Sequence, residues 1–308
     1  MNATTQPDDP ARLPTADRAL TDRVLASFDA APSARLREVM RGLVAHLHAF
    51  ASDVRLTEEE WATAVSFLTR AGQISDDRRQ ELILLSDVLG LSMLVVGINH
   101  EVSAAATAST VVGPFFVENA PEFADGDDIS GGAAGEPCFY SGRILSATGA
   151  PIPDARIDVW HSDDDGNYDV QYPELDGAQG RGRLRSGADG GYRFSSVLPV
   201  PYPIPHDGPV GELLDAAKRD SMRPAHVHFR VSAPGFATLT THVFVAGDPY
   251  LGSDAVFGET DSLVRTFARH DPGPAPGGRV LDRAFSTMEF DFVLDVARTP
   301  DRGAGRSV

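Results

Sequence analysis

The sequence predicts an α+β protein, an N-terminal helical domain followed by an antiparallel β-sandwich. Three observations carry that prediction. From about Thr21 to His100 the apolar residues recur at helical spacing. From about Gly113 onward glycine and proline become frequent, and turn signals separate short alternating segments. One of these, Arg223-Pro224-Ala225-His226-Val227-His228-Phe229-Arg230-Val231, alternates polar and apolar side chains as a half-buried strand does.

Residues 1–18 carry no pattern and are expected to be disordered, as are 299–308. Thr57-Glu58-Glu59-Glu60 reads as a helix start with a capping-box glutamate. Ser75-Asp76-Asp77 reads as another start, with acids where the helix dipole favours them. The segment from Arg78 to about Asn99 reads as one long, mostly apolar helix, buried between neighbours. Ala104 to Phe116 connects the two parts, so the domains are expected at 19–112 and 113–298. Strands are expected at Cys138–Leu145, Ala155–His161, Gly191–Ser196, His226–Ser232, Thr238–Val245 and Met288–Val296. Turn signals at this spacing suggest an antiparallel sandwich or barrel.

Bulk properties exclude some roles. The 308 residues are 42% hydrophobic, enough for a substantial core. With 27 basic against 44 acidic residues the formal charge is -17, which argues against nucleic acid or an anionic membrane as partner. Cys138 is the single cysteine, so no internal disulfide or cysteine zinc site is available, and a reducing cytoplasm fits. The polar N-terminus has no apolar signal core. The run from Leu82 to Ile98 is too interrupted by Ser86, Asp87, Gly90 and Ser92 for a membrane span.

Side chains two apart on a strand share a face, so His226 and His228 present neighbouring imidazoles that can share one metal ion. Two strand histidines that merely hydrogen-bond are the plainer alternative. His46 and His48 have the same spacing on a helix, where residues two apart diverge. His100, His161, His206 and His270 lack a spaced partner and read as structural or surface residues. Tyr168 ends a polar turn, and Tyr202 stands among prolines that stiffen its loop. Tyr140, Tyr172, Tyr192 and Tyr250 remain alternatives on composition. Phenols with a pKa of about 10 ionise beside a trivalent cation. Two phenolates with two imidazoles suit Fe(III), and ferric iron suggests oxygen chemistry on an aromatic diol.

At this point the residues resemble the intradiol ring-cleaving dioxygenases. The likeness rests on Asp158-Val159-Trp160-His161 with Gly166-Asn167-Tyr168, then Pro201-Tyr202-Pro203, Arg223-Pro224-Ala225-His226-Val227-His228 and Leu239-Thr240-Thr241, in that order. The resemblance implies one non-haem Fe(III) per subunit, held by Tyr168, Tyr202, His226 and His228. It implies that Tyr202 is the axial phenolate that departs when substrate binds, and that Arg223 steadies negative charge on the ring. It implies cleavage between two hydroxylated carbons, with both atoms of O2 entering the product. It also implies a homodimer through the N-terminal helices, and admits a lipid between them. His242 departs from the glutamine common among catechol-cleaving members, which puts substrate polarisation at that position in question.

Asp87 stands among Ile83, Leu84, Gly90 and Leu91 on the expected helix, and an acid there needs a partner. A helix cap or a buried arginine pair would serve; so would an extra substrate hydroxyl. The stretches Leu84 to Val95, Pro199 to Gly211 and Ser253 to Gly258 resemble the hydroxyquinol-cleaving subgroup. That resemblance implies a pocket lined by Leu84, Asp87, Val111, Val112, Gly113, Pro114, Phe115, Ile204, Pro205, Arg223 and Val256. It also implies benzene-1,2,4-triol as substrate. The rival expectations are a catechol or chlorocatechol 1,2-dioxygenase, a ferrous extradiol enzyme, and a non-catalytic β-sandwich binding protein.

Overall fold

The structure, a computed structural model, describes residues 15–76, 79–100 and 103–297. The tails expected to be disordered fall outside these residues, except that the first helix already begins at Thr15. Among the described residues six helices run in chain order: α1 (Thr15–Ser27), α2 (Ala34–Asp53), α3 (Glu58–Ile74), α4 (Glu81–Val88), α5 (Leu91–Asn99) and α6 (Pro209–Ala217). By compactness the chain divides into residues up to 69 and residues 70–298, which groups α4 and α5 with the strands.

In the first unit, α1 packs on α2, and Thr21 Oγ1 meets His48 Nδ1 at 2.8 Å, a structural role for that histidine. Ser33 caps α2 by accepting from the Leu36 amide. The capping box at α3 forms as expected: Glu60 Oε2 accepts from the Thr57 amide, and Thr57 Oγ1 accepts from the Glu60 amide. Leu36, Val39, Leu43, Leu47 and Phe50 follow helical spacing along α2 and are all exposed within this chain.

The long helix expected from Arg78 is instead two. Gly90, at φ +72°, breaks it after Val88, and the halves meet at a 79° bend. The start expected at Ser75–Asp77 is not used. Asp76 Oδ1 accepts from the Arg79 amide in a turn, and α4 opens at Glu81; Asp77 and Arg78 lie outside the described residues. The expected burial is also corrected. Leu82, Ile83, Leu89, Leu91, Leu94 and Ile98 face outward, because the bend leaves one side of each half uncovered. Among the described residues no single helix is long and apolar enough to cross a membrane.

The strands are β1 (Pro137–Ser146), β2 (Arg156–His161), β3 (Arg181–Arg185), β4 (Gly191–Val197), β5 (Tyr202–Pro203), β6 (Met222–Arg223) and β7 (His226–Ser232), followed by β8 (Leu239–Val245), β9 (Val264–Arg265), β10 (Ala268–His270), β11 (Gly273–Pro274), β12 (Val280–Leu281), β13 (Phe285–Glu289) and β14 (Phe292–Leu294). One five-stranded sheet runs β10-β13-β1-β14 with β4 also on β1; the other runs β3-β2-β7-β8-β9. Two short ribbons, β5-β6 and β11-β12, complete the pairing. Most pairs are antiparallel, but β1 pairs in parallel with β13 and β14, and β8 with β9. The segment expected as one strand from Met288 to Val296 is divided at Phe290–Asp291.

The core lies between the two large sheets. Tyr140, Ile144, Tyr192 and Phe194 of one meet Ile157, Val159, Val227, Phe229, Val231 and Val243 of the other. Alternation along β7 therefore sends Val227, Phe229 and Val231 into this core and leaves His226 and His228 on the opposite face. That face is also dry, since both histidines are buried.

At the end of β2, buried His161 donates from Nδ1 to the Ser162 carbonyl (2.7 Å), and its Nε2 accepts from Ser196 Oγ (2.8 Å). Burial, partly offset by the Ser162 carbonyl, lowers its pKa to about 4, so the imidazole is neutral. An unfolded histidine titrates near 6.5. Between about pH 6.5 and 4 the unfolded chain thus binds a proton that the native His161 refuses, and stability falls as the pH falls through that window. Urea midpoints of the metal-free protein should drop across it, and His161→Gln should lose less over the same window. An identical pH slope in the variant would contradict this account of His161.

Candidate metal centre

The buried outer face of the β2-β7-β8 layer aligns Trp160, His228 and His242 in one cross-strand row. Trp160 stacks on His228 (4.7 Å, 17°), and His242 meets the same ring edge-on (4.2 Å, 76°). His226, two residues along β7, pairs in register with Phe244. Its Nδ1 donates to the Pro224 carbonyl at 2.6 Å, which leaves the Nε2 lone pair facing the donor cluster, within 3.1 Å of Arg223 Nη1.

The two tyrosines reach this face on loops. Asp163 Oδ1 accepts from the amides of Asp165 and Asn167, forming the turn that delivers Tyr168. Asp169, the next residue, accepts from both Nε and Nη2 of buried Arg181, which fixes the turn from below. Phe115 stacks on the Tyr168 ring (4.4 Å, 24°). Tyr202 sits in β5, opposite Arg223 in β6. Gly166, at φ +80°, passes so close that a Cβ there would lie 3.0 Å from Tyr202 Cβ.

Four donor atoms then close a ring. Tyr168 Oη lies 3.2 Å from Tyr202 Oη, Tyr202 Oη 3.3 Å from His226 Nε2, His226 Nε2 3.1 Å from His228 Nε2, and His228 Nε2 3.0 Å from Tyr168 Oη. Ligand atoms take such spacing around one ion with bonds of about 2 Å. Burial drives the pKa of His226 down to about 3 and that of His228 well below its usual value, so both imidazoles are neutral. Burial, with Tyr202 beside it, holds the Tyr168 phenol well above its usual pKa in the absence of a cation. His228 Nδ1 is buried without a hydrogen-bond partner. Two neutral imidazoles and two phenols so packed fit a small, highly charged cation, which would turn the phenols into anionic ligands.

His242 is the third imidazole here, and the ligand nitrogens of His226, His228 and His242 fall within 4.8 Å of one another. It stands outside the closed ring. Its Nδ1 faces Arg223 Nη2 at 3.4 Å, and its Nε2 has no hydrogen bond. Burial and the Arg223 charge keep it neutral, with the Val111 carbonyl acting weakly in the opposite sense.

Arg223 is buried and held at three corners. Its Nε and Nη2 donate to the Asp254 carboxylate (3.0 and 3.3 Å), and its Nη1 lies 3.1 Å from His226 Nε2. Burial works against the Arg223 charge, but Asp254 and the nearby phenols more than offset it. Burial likewise opposes ionisation of Asp254, yet Arg223 prevails and its pKa falls below the usual carboxylate range. Asp254 also accepts from the amides of Val256 and Gly258. No periodicity in the sequence marks it.

Asp87 is buried at the C-terminal end of α4. Burial raises its pKa, the Ser92 hydroxyl opposes this, and the Arg223 and Asp254 charges act on it from a distance. Among the described residues it forms no ion pair within 4 Å, so the buried arginine pair is not what the structure shows. Gly113, at φ +73°, lies against His228, where a Cβ would be 3.2 Å from Cε1. Ile204 and Val256 are buried and Leu84 half-buried; Val112, Pro114 and Pro205 are exposed and not joined to the donors by any hydrogen bond. Three of the four alternative tyrosines are engaged elsewhere: Tyr140 donates to Val197, Tyr192 to Phe290 and Tyr172 to Asp163.

Fold and site together define a β-sandwich protein with a buried donor cluster able to hold a metal ion. Comparison with known proteins places it further. Residues 111–296 match the family model described as "Dioxygenase", and residues 33–107 the one described as "Catechol dioxygenase N terminus". The hydroxyquinol 1,2-dioxygenase of Nocardioides simplex is 55% identical over 89% of this chain and 94% of its own. The crystal structure of hydroxyquinol 1,2-dioxygenase from Pseudomonas putida DLL-E4 is 43% identical, with a TM-score of 0.86 over 92% of this chain and 99% of that one. The crystal structure of catechol 1,2-dioxygenase from Pseudomonas arvilla C-1 is 30% identical, with a TM-score of 0.78 over 95% of this chain and 96% of that one. The chain belongs to the intradiol ring-cleavage dioxygenase family.

Removing one partner of a buried ion pair strands the other charge, at a cost of about 3–5 kcal/mol. Asp254→Ala should therefore lower unfolding free energy by about that amount in urea melts. A loss below about 1 kcal/mol would show that Arg223 finds another partner.

Proposed function

We propose that this protein is a ferric intradiol dioxygenase acting on hydroxyquinol (benzene-1,2,4-triol). It opens the ring with O2 between the two adjacent hydroxylated carbons and yields 3-hydroxy-cis,cis-muconate, hence maleylacetate. The observation that carries this reading is the closed ring of two phenolic oxygens and two imidazole nitrogens, buried beside a fixed arginine. Tyr168, Tyr202, His226 and His228 would hold one non-haem ferric ion per subunit. That ion supplies Lewis acidity toward a diol and a route for electrons from its ring to O2.

The chain's own groups do the rest. Tyr202, once ionised as a ligand, would accept a proton from a diol hydroxyl at its Oη. Arg223 has Nε and Nη2 tied down by Asp254, so Nη1 presents a fixed positive charge to the donor face. Such a charge steadies carbanion character on a bound ring without reorganising during the reaction. His242 Nδ1, neutral and 3.4 Å from Arg223 Nη2, helps to orient that guanidinium and polarises the substrate. Leu84, Val111, Val112, Gly113, Pro114, Phe115, Ile204, Pro205 and Val256 form the walls. The half-buried and buried members among them help to keep water from the reacting atoms.

Asp87 favours the triol over catechol. It is buried, forms no ion pair among the described residues, and feels the Arg223 charge, so it offers an acceptor to a third hydroxyl. A pocket with such an acceptor rejects analogues that leave it unpaired. Catechol or a chlorocatechol is the second reading. We further take residues 19–112 as a dimerisation and linker domain and 113–298 as the catalytic domain of a cytoplasmic homodimer. The exposed apolar stripe from Leu36 to Phe50 supports an apolar partner on α2, a second copy with a lipid between.

Steady-state turnover of hydroxyquinol and catechol under 18O2, with mass analysis of the product, tests the reading. The expected product is ring-opened between the hydroxylated carbons and carries two labelled oxygens. Asp87→Asn should lower kcat/KM for hydroxyquinol at least tenfold and leave that for catechol within a few-fold. A yellow product of extradiol cleavage, or the absence of turnover, would overturn the reaction; unchanged selectivity in the variant would overturn the role of Asp87.

A further inference from the structure

Three walls of the proposed pocket come from segments far apart in sequence: α4 with Leu84 and Asp87, the loop with Ile204, and the loop with Val256. At its N-terminal end α4 is tied by buried Glu81, whose Oε1 accepts from the Val210 amide in the first turn of α6. Gly208 permits this approach, since a Cβ there would lie 2.5 Å from that oxygen. The other end is tied by one residue. Arg219 Nη1 donates to the Val88 carbonyl at 2.6 Å, and Nη2 donates to the Ala255 carbonyl at 3.1 Å.

Those two carbonyls belong to the neighbours of Asp87 and Val256. Val88 is the last residue of α4, where carbonyls lack helical partners and a cation is favoured. The face of the guanidinium is covered by Phe257, 4.9 Å from Cζ to ring centroid. Phe257 holds φ +58°, a left-handed conformation unusual for an aromatic residue. Strain of this kind persists where surrounding contacts demand it. Its ring also reaches Gly90, where a Cβ would lie 3.5 Å from Phe257 Cδ2. A left-handed aromatic residue thus closes over the junction of α4 and the 254–258 loop.

We infer that Arg219, clasped by Phe257, is a positioning residue for substrate selectivity: it sets the spacing between Asp87 and Val256. It touches neither the donor atoms nor Arg223 by any hydrogen bond, so it acts through the two peptide units it joins. The inference rests on reading Asp87 and Val256 as walls of the ring-binding space. Lysine cannot replace it, because only the planar fork can serve two carbonyls while stacking on a ring.

The test uses the iron-loaded full chain with Arg219→Met, which keeps length and apolar cover but removes both donors, and Arg219→Lys as the milder variant should the first fail to fold. Two measurements are made. Amide hydrogen exchange should accelerate together in residues 86–92 and 254–258, by about tenfold in Arg219→Met and less in Arg219→Lys. KM for hydroxyquinol should rise about tenfold with kcat within twofold, while KM for catechol stays within twofold. Unchanged exchange in both segments would show that no clasp exists. Faster exchange with an unchanged hydroxyquinol-to-catechol ratio, or an equal loss on both substrates, would show that it does not set selectivity. Were the wild type inactive on both diols, the proposed reaction would fail; the exchange arm would still decide whether the clasp exists, and the selectivity role would fall with the reaction.

Discussion

The rest of the site depends on bringing four polar donor atoms to 3.0–3.3 Å of one another in a space without solvent. Left alone, such a cluster is unfavourable, since each phenol and imidazole has given up water for neighbours of the same kind. The surrounding structure over-determines it. Strand β7 fixes both histidines on one face, the Pro224 carbonyl fixes the tautomer of His226, and Trp160, Phe115 and His242 wedge the rings. A cation would replace the hydrogen bonds of this cluster by converting the phenols and imidazoles into ligands.

Around this cluster the protein places charges in a fixed order. Asp169 and Arg181 pair beneath Tyr168, Asp254 and Arg223 pair beside His226, and among the described residues Asp87 has no ion pair. The paired acids orient other groups, and on the proposed reading Asp87 is the acid that meets a ligand. The same logic separates the roles of Arg223, whose Nη1 faces the donors, and Arg219, whose donors are taken up by backbone carbonyls. On the proposed reading one guanidinium presents charge and the other holds walls.

Much of this was legible in the sequence, for local reasons. The period of two along Arg223 to Val231 fixes the faces of His226 and His228, and the structure keeps that register. Tyr202 among prolines and Tyr168 after an acidic turn are both where loop chemistry puts them. What escaped is non-local. Gly90 inside an apolar run reads as a tolerated helical glycine, because only its left-handed φ reveals the bend. Periodicity shows that α4 and α5 have apolar sides but not whether anything covers them. Asp254, Glu81 and Arg219 act across 31, 129 and 131 residues of chain, and no window of sequence contains such a pair. The parallel pairing of β1 with β13 and β14 was hidden for the same reason.

On the proposed reading two phenolates, rather than a third imidazole, complete the metal centre. Resonance Raman spectroscopy of the iron-loaded protein, excited in its visible absorption band, tests this most directly. Tyrosinate ring vibrations should appear, weaken in Tyr168→Phe and in Tyr202→Phe, and persist in His242→Ala. A colourless iron protein without those vibrations, or one that releases its iron only on loss of His242, would contradict it.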